Sequence, residues 1–266
     1  MQRSNTYIII FSAILTIILG GMLSGTSVVL KPLQDIQIDL DNKKKILGAV
    51  MDISAIENPE EILALYDKRF TSTVIDINGN TVEKDKKGNL LVAEKINVQK
   101  NYKIAKEERV YPVFQFMNEA DSTKVEAYIF PMWGAGLWDW ISGFVAIDKD
   151  LNTVIGVAFD HKSETPGLGA RITSDMVKNR FKGKKIFDAS GLLQSVSMVK
   201  GEKGLPLDDH HIDGMSGATL TGIGVNNMLL HYMECYKTFI DKVNSQKMAM
   251  TAEVSNSVVE EDLTTE

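Results

Sequence analysis

The residues of this chain best suited to chemistry are the small and hydroxylated ones at 213–221. Two glycines here allow a tight bend, and apolar residues recur at helical spacing over 225–239, so a helix is predicted to begin near Thr219. The first turn of a helix carries unpaired amide donors and about half a positive charge, which would stabilise a phosphate held at Thr219. The alternative is that Ser216 or Asp213 simply caps the helix.

Two further stretches are unusual. In 161–171, Gly167 and Gly169 flank Leu168, so one apolar side chain can project from a backbone that approaches a ligand closely; an ordinary strand-to-helix connection is the alternative. In 131–140, three tryptophans are interleaved with glycines. They could pack in the core, form a stacking wall for a flat cofactor, or form a surface lying on a membrane partner.

Composition limits the possible partners. The chain has 266 residues and a formal net charge of -6, which argues against a nucleic-acid partner because phosphate backbones require a basic surface. The single cysteine, Cys235, excludes an internal disulfide and a cysteine-only metal site. The adjacent pair His210 and His211 is interpreted as part of a solvated loop, since neighbouring histidines seldom point at one centre. No metal site is predicted.

The N-terminal region is predicted to hold a membrane anchor. Residues 7–30 carry no charge and are long enough to cross the hydrocarbon core. A cleaved signal peptide is the alternative, but its apolar core would be shorter than this run, which continues to Lys31 and Pro32. Positive residues lie on both sides of the span, so the charge rule does not give its orientation.

The pattern of the remaining chain predicts an α/β (α+β) fold. Helices are expected over 33–51, 58–70 and 174–181 and from Thr219 onward; strands are expected over 71–77, 109–114, 125–130, 142–148, 153–160, 186–187 and 195–199. The predicted organisation is an anchor (1–31), membrane-proximal helices and a hairpin packing on the core (32–108), a core domain (109–247), and an acidic tail (248–266) that is disordered because it carries five acids and no basic residue.

The order Asp-x-x-Ser-Gly-Ala-Thr, from Asp213 to Thr219, resembles the acceptor sequence for covalent FMN, in which a flavin transferase joins the FMN phosphate to the last threonine. Other motifs occur in matching order at 43–47, 59–62, 136–138 and 164–169. Together they resemble the family of C subunits of the sodium-translocating NADH:quinone reductase, over nearly the whole chain from Met1 to about Lys242.

This resemblance implies an FMN-binding domain with a mixed twisted sheet and flanking helices. It implies a single-pass protein of the bacterial cytoplasmic (inner) membrane, with the domain on the periplasmic or outer side, in an NADH:ubiquinone reductase (Na(+)-transporting) of six subunits. The covalent FMN would relay electrons one at a time from an iron–sulfur centre toward the flavin of the B subunit, and finally to quinone. The chain itself would supply no catalytic acid or base, because the redox chemistry belongs to the flavin.

The resemblance also assigns the site residues. Thr219 would be the attachment point, and five neighbours would surround the phosphate: Ser216, Gly217, Ala218, Leu220 and Thr221. The isoalloxazine ring would be lined by Glu164, Thr165, Leu168 and Gly169. Trp138 would lie close by, and Lys200 would meet the phosphate or a ring oxygen. The residues after Trp138, Asp139 and Trp140, depart from the small and hydroxylated residues expected in the family.

Two alternatives accompany this assignment. The G subunit of the related Rnf electron-transport complex shares the anchor, the acceptor motif and the outside location, but the motif 136–138 and the long segment before the sheet favour the quinone-reductase family. The alternative from another class is a non-redox, membrane-tethered binding or scaffold protein whose acceptor motif is vestigial.

Overall fold

The structure, a computed structural model, describes residues 4–204 and 206–263, with side chains described up to residue 249. It divides into two compact units, residues 1–43 and 44–266. The first unit belongs to the long helix α1 (Asn5–Val50). Among the described residues, α1 is the helix that is long and apolar enough to cross a membrane, and its large apolar side chains from Tyr7 to Ile38 are exposed.

Helix α1 joins two segments that the sequence presents as separate elements, the anchor and the helix over 33–51. Pro32 lies inside the continuous helix. Proline removes one intrahelical hydrogen bond and normally kinks or ends a helix. Here the helix-forming residues on both sides extend it across that position, so the boundary expected at residues 31 and 32 is not a break in secondary structure.

The second unit is built on a five-stranded antiparallel sheet. Its strands follow one another in space as in sequence: β1 (Phe70–Ile75), β2 (Tyr111–Met117), β3 (Val125–Ala135), β4 (Trp140–Asp148) and β5 (Val154–His161). Phe70 pairs with Phe116, and Phe130 pairs with Val145. The predicted α/β class is confirmed, and the parallel pairing in the described part of the chain is confined to a small sheet of β6 (Ser197–Met198) and β7 (His211–Ile212).

Helix α5 (Thr219–Leu263) covers one face of the main sheet. It lies close to β3, because a Cβ placed on Gly134 would be 2.9 Å from Cβ of Met228. The buried hydroxyl of Tyr236 donates to the carbonyls of Pro112 (2.9 Å) and Pro131 (3.3 Å), two backbone acceptors of β2 and β3. The start of α5 is therefore fixed relative to the end of β3 by tight packing.

The opposite face is covered by α2 (Pro59–Arg69) and by the last turns of α1 within the second unit. Asn58 caps α2 by accepting the N–H of Glu60, and Pro59 occupies its first position. Tyr66 stacks on Phe70 at 4.9 Å between ring centroids. Lys45 forms an ion pair of 2.6 Å with Asp160 on β5.

Shorter elements complete the second unit. Helices α3 (Val98–Tyr102) and α4 (Asp175–Lys178) and the 3-10 turns Ala93–Lys95, Gly169–Thr173 and Asn179–Phe181 connect the strands. The strand expected at 186–187 is a single bridge between Phe187 and Leu193. Helix α5 includes residues 248–263, which make up most of the stretch 248–266 expected to be a disordered acidic tail, and residues 264–266 lie outside the described part of the chain. The disorder of this tail stays a prediction.

The close approach of Ala49 to Gly156 generates a test of the packing between α1 and β5. A Cβ at Gly156 would lie 2.3 Å from the carbonyl oxygen of Ala49, a backbone atom that cannot rotate away. We expect Gly156→Ala to lower the free energy of unfolding of the detergent-solubilised chain by about 1–3 kcal/mol, measured by denaturant titration followed by circular dichroism.

Gly48→Ala is the matched control, because a Cβ at Gly48 meets no atom within 4 Å and this residue lies in α1. It should leave the free energy of unfolding unchanged or raise it by up to about 1 kcal/mol through helix propensity. Equal effects of the two substitutions would contradict the packing described for β5.

Candidate functional site

Glu164 connects three segments of the candidate site from a buried position. Its Oε1 accepts hydrogen bonds from the backbone N–H of Leu137 (2.7 Å) and Trp138 (3.1 Å). Its Oε2 accepts a bond of 2.6 Å from the hydroxyl of Thr221. A buried carboxylate is costly unless it is hydrogen-bonded, and these donors explain why this side chain is stable with 4% of its surface exposed. The loop after β3, the loop after β5 and the first turn of α5 meet at this carboxylate.

Gly136 and Gly169 leave the space that this carboxylate occupies. A Cβ at Gly169 would lie 2.3 Å from Oε2 of Glu164 and 2.5 Å from Oγ1 of Thr221. A Cβ at Gly136 would lie 2.4 Å from Oε1 of Glu164. Any side chain at either position would push the carboxylate away from its donors, so both glycines are required by the close approach of these three segments.

The loop 164–169 also contacts the acceptor turn, which we define as residues 213–219. Gly217 has a φ of +77°, and a Cβ built on it would lie 2.8 Å from Cδ2 of Leu168. Beside this contact, Nε1 of Trp138 donates to Oγ1 of Thr165 at 3.2 Å. The sequence-predicted ring-lining residues of the two loops therefore lie together, next to the acceptor turn.

Thr219 is the first residue of α5 and is exposed, which confirms the predicted start of the helix. The residue before it, Ala218, is buried, and its carbonyl accepts the N–H of Gly222 at 3.0 Å, as the residue that caps a helix does. A methyl side chain offers no oxygen to the N–H groups of the first turn. The hydroxyl of Thr219 thus stands at an exposed helix N-terminus.

The carboxylate of Asp213 stabilises a neighbouring loop and does not cap α5. Its Oδ1 accepts the N–H of Lys203 (3.1 Å) and its Oδ2 accepts that of Gly204 (2.7 Å). These two backbone donors hold the pKa of Asp213 below its ordinary value. Gly214 donates its N–H to the carbonyl of Gly201 at 2.9 Å. The acceptor turn is therefore attached to the loop 199–204, and capping by Asp213 was the wrong alternative.

A cluster of charged residues lies on the same side of the turn. The Glu202 carboxylate accepts bonds from Nη2 of Arg171 (2.5 Å) and Nη2 of Arg180 (2.7 Å). These contacts, with Arg171 first, lower the pKa of Glu202 to about 2. Nη1 of Arg180 also donates to the carbonyls of Asp213 (3.1 Å) and Gly214.

The sequence analysis missed Arg171, Arg180 and Glu202. Arg171 lies two residues after the motif 164–169, and that position is the one signal that could have drawn attention to it. Lys200, which the resemblance placed at the phosphate or a ring oxygen, is exposed. The hydrogen bonds of the neighbouring loop to the acceptor turn come from Gly201, Lys203 and Gly204. The role of Lys200 remains a prediction.

The three tryptophans have separate positions. Trp133 lies within β3, is half-buried and packs on Tyr102 with 4.7 Å between ring centroids. Trp140 begins β4. Trp138 lies in the loop between these strands with 67% of its surface exposed. Of the three, Trp138 is the one beside the acceptor turn and the loop 164–169.

Comparison with known proteins places this geometry in a family. The family described as FMN-binding domain matches residues 136–234, which contain Glu164, Thr219 and their partners. The C subunit of the Na(+)-translocating NADH-quinone reductase of Pseudomonas aeruginosa is 32% identical to this chain, over 87% of the chain and 92% of that protein. The chain belongs to this family of C subunits.

Other members of the family are similar to this chain in sequence and in structure. The corresponding protein of Haemophilus ducreyi is 32% identical, over 82% of this chain and 86% of that protein. The crystal structure of the protein from Parabacteroides distasonis is 33% identical and superimposes with a TM-score of 0.66 over 79% of this chain and 96% of that one. The crystal structure of Shewanella oneidensis NqrC is 25% identical and superimposes with a TM-score of 0.64 over 78% of this chain and 98% of that one. With its apolar helix α1, the chain is a membrane-anchored member of the family.

The residues present fit FMN. A flat isoalloxazine ring needs apolar surface, and the loops and the first turns of α5 that meet here expose five large apolar side chains: Leu137, Trp138, Leu168, Leu220 and Ile223. A phosphate needs hydrogen-bond donors and positive charge, which the start of α5 and the two arginines provide. The family and the geometry thus support one cofactor class.

The bond between Glu164 and Thr221 generates a double-mutant cycle. We expect Glu164→Gln and Thr221→Val to couple by about 1–2 kcal/mol in the free energy of unfolding, because the pair shares one charge-assisted hydrogen bond. Thr123, whose hydroxyl bonds Asp121 on the loop between β2 and β3, provides the control. Thr123→Val combined with Glu164→Gln should be additive within about 0.5 kcal/mol. Additivity in the Glu164 and Thr221 cycle would contradict this connection.

The charge pairing of Glu202 predicts a pH dependence of stability. Its pKa in the folded chain is about 2, below the ordinary 4.5, so its contribution is complete above about pH 4.5 and is lost as the pH falls toward 2. In Glu202→Gln this part of the acid-induced loss should be absent. The measurement is the free energy of unfolding of the wild type and of Glu202→Gln between pH 7 and 2.5. Parallel curves for the two proteins would contradict the prediction.

Proposed function

We propose that this chain carries FMN bound covalently through a phosphoester to Thr219 and relays electrons one at a time from an iron–sulfur centre toward the flavin of the B subunit, within the sodium-pumping NADH:quinone reductase. FMN supplies the one-electron chemistry when bound. The observation that carries the proposal is the exposed hydroxyl of Thr219 at the start of α5, within the ordered motif Asp213 to Thr219.

The roles proposed for the chain's residues are to hold and orient the cofactor. Thr219 provides the oxygen of the phosphoester. The positions around the phosphate are Ser216, Gly217, Ala218, Leu220 and Thr221, of which Thr221 acts through Glu164 because its hydroxyl is buried and bonded there. Trp138, Thr165 and Leu168 are exposed where the ring would lie, whereas the buried Gly169 and Glu164 fix the loop behind them. Lys200 is proposed as a further contact of the phosphate or ring.

The proposed setting follows from the names of the relatives. They are subunits of a Na(+)-translocating NADH-quinone reductase, so the proposed partners are the other members of a complex of six subunits and, during maturation, a flavin transferase. We place the FMN domain on the periplasmic or outer side of the bacterial inner membrane. The G subunit of the Rnf complex is the less supported alternative, because the relatives compared above carry the name of the quinone reductase.

The covalent attachment can be tested by intact-mass analysis of the full chain co-expressed with a flavin transferase. We expect a mass gain of one FMN less water in the wild type and in Thr219→Ser, which keeps a hydroxyl. Thr219→Ala should show no gain and should release any flavin on denaturation, since no oxygen remains to form the ester.

Thr123→Ala is the matched control, because it removes an exposed hydroxyl from the loop between β2 and β3 and should be modified like the wild type. An unmodified wild-type mass, or flavin retained by denatured Thr219→Ala, would contradict the attachment of FMN to Thr219. The first of these outcomes would favour the alternative in which the chain is a non-redox binding or scaffold protein.

A further inference from the structure

Two guanidinium groups from separate segments converge on the carboxylate of Glu202. Arg171 contributes Nη1 (3.3 Å) and Nη2 (2.5 Å), and Arg180 contributes Nη2 (2.7 Å). Paired guanidinium groups are a donor set that proteins use for phosphate groups.

The two arginines differ in how they are held. Arg180 is fixed independently of Glu202 by its bonds to the carbonyls of Asp213 and Gly214. In the described part of the chain, the hydrogen bonds of the Arg171 guanidinium are those to Glu202. Glu202 is exposed, so rotation of its side chain away from the guanidinium groups opens Arg180 to another anion.

Charge also favours replacement. The two guanidinium groups carry two positive charges, which one carboxylate neutralises only by half. A phosphate monoester carries about 1.5 to 2 negative charges near neutral pH and has three terminal acceptor oxygens. Before it is esterified to Thr219, such a group satisfies the two guanidinium groups more completely than Glu202 does. The phosphodiester formed afterwards carries one charge and two terminal oxygens, and the covalent bond then holds it in place.

We propose that Arg171 and Arg180 form a phosphate-binding pocket, which Glu202 fills as an internal competitor until the phosphate of a flavin nucleotide displaces it. The nucleotide as the source of the phosphate rests on the proposed function, whereas the pocket itself does not. Because Glu202 is part of the same chain, it is present at a high effective concentration and excludes free phosphate. A nucleotide whose ring is already held by the loop 164–169 also presents its phosphate at a high effective concentration, so this phosphate can displace Glu202.

The pocket can be tested in the full, detergent-solubilised chain expressed without a flavin transferase, with inorganic phosphate as the probe at pH 7.5 and constant ionic strength. The dissociation constant is obtained from the rise of the unfolding midpoint with phosphate concentration. We expect Glu202→Gln to bind phosphate about tenfold more tightly than the wild type, the value of roughly one charge-assisted hydrogen bond. Glu202→Asp, which keeps the charge on a shorter side chain, should lie between them.

Arg171→Gln combined with Glu202→Gln should return the affinity to the wild-type level or below. Lys185→Gln combined with Glu202→Gln is the matched control, because Lys185 pairs with Asp209 in an exposed ion pair at a different site, and it should bind like Glu202→Gln alone. Unchanged phosphate affinity in both Glu202 variants, or tight binding that survives Arg171→Gln, would overturn the pocket.

The same titration on the FMN-modified chain distinguishes the two sources of phosphate. If the phosphoester fills the pocket, Glu202→Gln gains no affinity for inorganic phosphate after modification. If Glu202→Gln still gains affinity for inorganic phosphate in the modified chain, the phosphate of the nucleotide does not occupy the pocket. The measurement on the unmodified chain does not depend on flavin attachment, so failure of the pocket and failure of the proposed function give different results.

Discussion

The buried carboxylate of Glu164 is the interaction on which the candidate site depends. Three of the segments that form the site come from distant parts of the chain and meet through its bonds to Leu137, Trp138 and Thr221. Gly136 and Gly169 allow this meeting because any larger residue would occupy the position of the carboxylate oxygens. An uncompensated buried charge is costly, so the three segments hold Glu164 in place as firmly as it holds them.

The sheet and α5 give this interaction its fixed position. Tyr236 bonds the carbonyls of Pro112 and Pro131, and Gly134 brings Met228 against β3, so the first turn of α5 cannot slide along the sheet. The loop after β3 begins where this tight packing ends. Thr221 and the N–H groups of 137 and 138 are thus presented to Glu164 by rigid elements, and the short bond distances at the carboxylate follow.

Local patterns in the sequence predicted the elements and much of the site, but not the contacts between them. The motif 213–219 indicated the start of α5, because a helix start is governed by neighbouring residues. Gly169 was predicted to allow close approach to a ligand, whereas the structure shows that it and Gly136 leave space for the carboxylate of Glu164. The pairing of Glu202 with Arg180 joins residues 22 positions apart through loops of no regular pattern. The continuity of α1 through Pro32 was also missed, since proline usually ends a helix and the residues around it overrode that preference.

The site contains two carboxylates whose environments suit opposite tasks. Glu164 is buried and accepts bonds from three neutral donors of two separate segments, so replacing it would leave the N–H groups of Leu137 and Trp138 and the buried hydroxyl of Thr221 without this partner. Glu202 lies on an exposed loop and faces charged guanidinium groups, which any anion can satisfy. A carboxylate of the first kind preserves the shape of a site, while one of the second kind can leave it. This difference is why we propose that a phosphate group displaces the carboxylate of Glu202 and not that of Glu164.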